Sequence, residues 1–152
     1  MKLEEAFRNS TKIILRFFGI YVNNITNLNN HPKDIIVDLS TYIGITGNPA
    51  GLVSMEMKNS TANNISLKVC NTNNVVMDGI SDRIIREIVY QICGNAITEL
   101  WQYGYDSEMT PPSIISGNEI LFYHNKKCKE AFFLFDTNCG KLILKTFLEL
   151  KK

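Results

Sequence analysis

The chain of 152 residues is 45% hydrophobic and 20% charged, which excludes a disordered chain and allows a core without disulfides or metals. Its formal net charge of +1 gives no general attraction to nucleic acid or to an anionic membrane, so an acidic partner must meet a local patch of charge. No apolar run is long enough to cross a bilayer, and the first residues lack the basic start and cleavage site of a secretory signal, so we expect a cytoplasmic protein.

The chain is predicted to begin with a helix and a loop. Apolar residues recur at spacings of three and four from Leu3 to Phe18, which predicts an amphipathic helix that Gly19 ends. The next segment, residues 23–32, is polar and rich in asparagine. It is therefore predicted to be a loop.

A β-hairpin is predicted next. Residues 35–37 and 42–45 are strand-like, and residues 46–51 give a strong turn signal because they combine Gly, Asn and Pro. Residues 52–57 then alternate apolar and polar side chains over their later part, which indicates the returning strand.

Two further helices are predicted from apolar residues at helical spacing. The shorter covers residues 60–70, and the longer covers residues 80–103, where Asp78 or Ser81 could cap its start and Gly104 ends it. One stripe of the longer helix carries Ile80, Ile84, Ile88, Ile92 and Ala96.

The last third of the chain is predicted to be rich in strands. Residues 114–115, 120–123, 131–135 and 142–150 are apolar runs typical of strands, and residues 136–140 join the last two as a hairpin turn.

The order of these elements predicts the fold class. A few short strands alternate with helices, which favours an α+β fold with an antiparallel or mixed sheet over a doubly wound one. Internal repeats, low-complexity linkers and breaks in composition are absent from the sequence, so we expect a single domain over residues 1–152.

The four cysteines do not indicate a reactive or metal-binding centre. They are irregularly spaced without a C-x-x-C pair, so we expect structural roles. Cys93 lies on an apolar helical run, where a thiol usually behaves as a small buried hydrophobe. Phosphate-binding glycine loops and the common hydrolase motifs are absent from the sequence as well.

The longest predicted helix carries the residues of greatest functional interest. Glu87, Tyr90 and Gln91 stand at spacings of three and four, so they share one face, and Arg83 and Arg86 lie one turn earlier. From the residues alone, this pattern is also typical of a solvated face with an Arg83–Glu87 pair worth a few tenths of a kcal/mol.

Three segments of the chain resemble the CheX branch of the CheC/CheX/FliY chemotaxis phosphatases. The matching residues are 42–57 (YIGITGNPAGLVSMEM), 84–100 (IIREIVYQICGNAITEL) and 109–117 (MTPPSIISG). They follow one another in the family's order, within a match that runs from about residue 34 to residue 120. The resemblance implies long helices packed on one face of a mostly antiparallel sheet.

The resemblance also implies a function. Family members hydrolyse the aspartyl phosphate of the response regulator CheY with a Glu-x-x-Asn signature, in which the Glu pairs with a lysine of CheY and the Asn amide orients the attacking water. The Mg²⁺ of that reaction belongs to the receiver, so no cofactor is expected on this chain. The corresponding partner-binding face comprises Arg83, Arg86, Glu87 and Tyr90.

The signature is incomplete in this chain. Glu87 matches the signature Glu, but Tyr90 stands where the family has Asn, and a tyrosine ring is larger and has no amide. Gln91, one turn from Glu87, is the candidate substitute, although its position is apolar in the family pattern, and Asn95 is a second amide two turns away. A hydrolase, a receiver-binding module without hydrolysis and a structural protomer all remain open.

A homodimer is a further implication of the resemblance, because CheX subunits pair strands near their edges. The apolar runs 131–135 and 142–148 agree with this, since such strands are prone to aggregation at a sheet edge unless they are paired or covered.

Overall fold

The computed structural model describes residues 2–30, 32, 34–73, 79–116 and 128–151. The helices are α1 (Leu3–Phe17), α2 (Asn59–Val69) and α3 (Ile80–Gln102). The strands are β1 (Val22–Leu28), β2 (Leu39–Asn48), β3 (Ala50–Met57), β4 (Asp106–Met109), β5 (Ser113–Ser116), β6 (Lys129–Thr137) and β7 (Gly140–Glu149). These seven described strands form one antiparallel sheet in the order β1-β6-β7-β3-β2-β4, and β5 also pairs with β2.

The core lies between the helices and one face of the sheet. Alternate residues of the central strands, such as Val53 and Leu144, are buried against the inner stripe of α3, which includes Ile88 and Ile92. The predicted α+β class is confirmed, as is the long helix. None of the described helices is long and apolar enough to span a membrane.

The beginning of the chain agrees with prediction only in its helix. α1 forms as predicted, and Gly19 follows it in the left-handed conformation at φ 79°. The predicted loop over residues 23–32 is wrong, because β1 pairs with β6 through most of that segment. The apolar residues of β1 are Val22, Ile25 and Leu28, which are three residues apart, and the pairing with β6 shifts register between Val22 and Asn24. The sequence therefore lacks the alternation of apolar and polar residues that indicates a strand.

The predicted hairpin is present as β2 and β3. Gly47 at its turn has φ 98°, and a Cβ there would overlap the backbone oxygen of Asp106 in the adjacent strand. The strand predicted over residues 35–37 is wrong, because β2 begins only at Leu39. Residues 35–37 instead line a cleft beside the start of α2, where Ile35 and Val37 are half-buried and Ile36 is 68% exposed.

The strands of the last third correct one argument for a homodimer. β6 lies between β1 and β7, and β7 lies between β6 and β3, so neither apolar run is a sheet edge. The expectation that these runs support a homodimer as sheet edges is therefore wrong, because strands of the same chain pair with both. The predicted hairpin turn between the two strands is present, and the strand predicted over residues 120–123 lies outside the described residues.

The second face of the sheet holds a buried ion pair. The Nζ atom of Lys145 contacts Oε1 of Glu56, and each side chain is only 2% exposed. Ser54 lies opposite Lys145 in the strand register, and Ser40 lies opposite Glu56. These residues alternate with core residues along β3 and β7, so this polar cluster lies on the face away from the helices.

The thiols are unpaired, and two of the four are buried. Burial raises the pKa of Cys93 to about 12, and it also raises the pKa of Cys139, against a smaller lowering by Lys68. Cys93 is completely buried on α3, which confirms its role as a small core side chain.

Candidate protein-docking site

Glu87 and Gln91 form a hydrogen-bonded pair on the outward face of α3. Both side chains are exposed, and Gln91 Nε2 donates to Glu87 Oε1 at 2.9 Å. Their spacing of four residues places one above the other on the helix surface. The expectation that Gln91 points partly inward is wrong, because the buried stripe of α3 passes through Ile88 and Ile92 instead.

Tyr90 lies beside this pair, on the side of α3 that faces the segment after β4. Its side chain is 42% exposed, so a partner protein can contact it without any change in the helix. It borders an open groove of about 440 Å³. The groove is lined by Arg83, Arg86, Glu87, Tyr90, Pro111 and Pro112.

The two prolines of the groove are held in place by β2. The Gly44 backbone N–H donates to Thr110 Oγ1 at 2.9 Å, and the Thr110 N–H donates to the Gly44 carbonyl oxygen at 2.9 Å. Because Pro111 and Pro112 follow directly and have fixed φ angles, this anchor sets one wall of the groove. The prolines were not predicted as part of the site, although two consecutive prolines after a long helix are a visible signal in the sequence.

The groove carries more positive than negative charge. Glu87 is its single acid, and neither Arg83 nor Arg86 forms a salt bridge within the part of the chain that the structure describes. The Arg83–Glu87 pair of the solvated-face interpretation is not formed, since Glu87 accepts from Gln91 instead. The two guanidinium groups therefore remain available to anions.

Asn95, the second candidate amide, is hydrogen-bonded to a neighbouring helix. Asn95 Nδ2 donates to Ser10 Oγ of α1 at 2.9 Å, which ties the two helices together. Asn95 therefore joins the helix contact, while Gln91 is the amide beside Glu87. Among the described residues, no three His, Cys, Asp or Glu side chains come close enough together to hold a metal ion.

Similar solved structures identify the fold of the chain. A CheX from Desulfovibrio desulfuricans is similar with a TM-score of 0.80 and 21% identity, covering 99% of this chain and 100% of that chain. A putative chemotaxis protein from Desulfovibrio vulgaris Hildenborough is similar with a TM-score of 0.81 and 23% identity, covering 98% of this chain and 97% of that chain. The fold is that of CheX/CheC-like chemotaxis proteins.

The family follows from the sequence itself. The model of the chemotaxis phosphatase CheX matches residues 39–136, and the chain belongs to that family. A search of curated proteins finds no match. A Borrelia burgdorferi structure of CheX in complex with CheY, BeF3 and Mg²⁺ is also similar, with a TM-score of 0.76 and 22% identity, covering 97% of this chain and 98% of that chain.

Proposed function

We propose that this chain binds the phosphorylated receiver domain of a CheY-type response regulator in the cytoplasm and hydrolyses its aspartyl phosphate. The observation that supports this most directly is the exposure of Glu87 in the middle of a groove that also presents Arg83 and Arg86. An acid on a rigid helix can pair with a lysine of the receiver, and the arginines suit an acidic or phosphorylated surface. Membership of the CheX family gives the proposal its reaction class.

The Glu87–Gln91 hydrogen bond suggests how docking prepares the chemistry. In the free protein, Glu87 Oε1 holds the Gln91 amide. A receiver lysine that pairs with Glu87 competes for that oxygen and leaves the Gln91 amide free to orient a water molecule. The water attacks phosphorus, the acyl-phosphate P–O bond breaks, and the products are inorganic phosphate and the aspartate carboxylate. The Mg²⁺ that neutralises phosphoryl charge is held by the receiver.

The test is phosphate release from a receiver that a small-molecule donor keeps phosphorylated. We expect release above the receiver's own rate, and we expect Glu87→Ala and Gln91→Ala each to lower the added rate by about a hundredfold. Glu87→Ala should also weaken binding, whereas Gln91→Ala should leave binding close to that of the unmodified chain. Gln102→Ala, an exposed amide at the far end of α3, is the matched control and should change neither.

The alternative function is receiver binding without hydrolysis. Tyr90 favours it, because an exposed ring beside Glu87 is a good anchor in a protein interface but supplies no amide. Binding of the phosphorylated receiver without added phosphate release would establish this alternative. A chain that binds no receiver, phosphorylated or not, would leave only the structural-protomer hypothesis.

We also propose that the chain forms a homodimer through β1. Among the described strands, β1 is one edge of the sheet, and it spans seven residues with neither Pro nor a charged side chain. Edge strands without such residues are suited to pairing with another strand. Light scattering at micromolar concentration should give twice the mass of one chain, and Ile25→Pro should reduce it to that of a monomer. A monomeric unmodified chain would refute the proposal.

A further inference from the structure

The exposed surface of α1 carries two parallel rows of side chains. Ile13 and Phe17, spaced by one turn, are 49% and 81% exposed, which is high for side chains of this size. Scattered apolar residues are ordinary on protein surfaces, but here they lie next to a row of cations at the same spacing. That row consists of Arg8, Lys12 and Arg16.

The apolar row lies on the side of α1 that faces α3. Ser10 marks this side, because its hydroxyl oxygen accepts from Asn95 of α3. Phe17 follows Ser10 by seven residues, or two turns, so the two side chains project in nearly the same direction. Phe17 is exposed although Ser10 is buried, so no described residue covers this side of α1 at its end.

Phe17 also stands level with the candidate docking site. Residues before α1 and after α3, Lys2 and Tyr105, line one cleft, so the helices run in opposite directions. From the Ser10–Asn95 contact, Phe17 is about 10 Å along α1, and Glu87 is about 12 Å along α3 in the same direction. The exposed apolar row therefore continues the Glu87 face onto the neighbouring helix.

The charges indicate what covers this surface. No cation of the Arg8–Lys12–Arg16 row forms a salt bridge with any residue in the described ranges, although the chain as a whole has a net charge of only +1. A second copy of the chain would place the cation row against itself, which like-charge repulsion disfavours. A lipid surface is a poor fit, because the main apolar face of α1 is buried in the core and only two apolar side chains remain outside.

We propose that the row of Ile13 and Phe17, with the cation row beside it, is a second docking surface for the receiver, binding an acidic protein surface with an apolar patch next to the phosphoaspartate. This rests on the proposed function of the α3 face. The α1 surface sets the affinity for the partner, whereas the residues of α3 contact the phosphorylated pocket.

Two variants test the proposal by titration against the phosphorylated receiver. Phe17→Ala should weaken binding about tenfold, as expected for an aromatic anchor. Lys12→Glu/Arg16→Glu should weaken binding by a similar factor, mainly by lowering the association rate. Added salt should reduce the difference from the unmodified chain, because it screens the cations of that chain. Phosphate release at saturating receiver should remain unchanged for both. Lys58→Glu is the control for a single charge reversal elsewhere on the surface, because Lys58 is exposed but lines a separate cleft with residues 34–37.

The outcomes separate this inference from the function on which it rests. If Glu87→Ala abolishes binding while both α1 variants bind like the unmodified chain, the α1 surface is overturned and the α3 site stands. If the unmodified chain binds no receiver, both fail. If the double variant loses binding only to vesicles of anionic lipid, the surface is a membrane contact and the proposal is wrong. Circular dichroism of each variant must show an intact helix content.

Discussion

Tyr90→Asn should raise the rate of phosphate release from a phosphorylated CheY-type receiver by about tenfold to a hundredfold, if positioning of water by an amide limits the reaction. The substitution completes the Glu-x-x-Asn spacing with Glu87 on a face that is already exposed. A short amide at this position is held by a rigid helix, whereas the Gln91 amide must first leave Glu87 Oε1. The measurement is phosphate release at saturating receiver, so that a change in affinity does not affect the result.

Tyr90→Phe is the control for this gain. It keeps most of the ring surface in the groove and supplies no amide, so its rate should stay at that of the unmodified chain. Adding Glu87→Ala to Tyr90→Asn should remove the gain in rate, because the receiver then loses its lysine contact with Glu87 and docks in a different position. An unchanged rate in Tyr90→Asn, with binding intact, would show that an amide at position 90 is not what this site lacks.

Lys145→Met should lower the free energy of unfolding by about 3–5 kcal/mol, the usual cost of removing one partner of a buried ion pair. The substitution leaves the Glu56 carboxylate enclosed on the second face of the sheet, where Oε2 already has no hydrogen-bond partner among the described residues. Methionine has nearly the volume of the lysine stem, so the loss comes from the isolated charge rather than from a cavity. Urea denaturation followed by circular dichroism measures it.

Two comparisons isolate the effect of the buried charge. Glu56→Leu/Lys145→Met removes both charges and should recover most of the lost stability, because an apolar replacement of a buried pair is often neutral. Lys129→Ala breaks the exposed pair with Glu4, which spans 3.1 Å with Lys129 62% exposed, and should cost less than about 1 kcal/mol. Equal losses for Lys145→Met and Lys129→Ala would contradict the assignment of Lys145 to a buried pair.

Only the part of the candidate site that lies on the single helix α3 was predictable from the sequence. The spacing of Glu87, Tyr90 and Gln91 along α3 is sufficient to place them on one surface, since a helix repeats about every 3.6 residues. The same spacing did not show that Pro111 and Pro112 line the groove beside Tyr90, because their position depends on the hydrogen bonds of Thr110 to β2. Nor did it show that Gln91 binds Glu87.

The fold divides in a similar way. The periodicity of the sequence determined α1, the β2–β3 and β6–β7 hairpins and the long α3, because in each of them the pattern of apolar residues is set by the element's own geometry. Only the tertiary structure decided that the Asn-rich segment forms β1, since its backbone hydrogen bonds come from β6. Likewise, Glu56 and Lys145 look in the sequence like ordinary outward-facing charges of a strand. Only the tertiary structure shows that both are buried, since burial depends on contacts that the local pattern does not record.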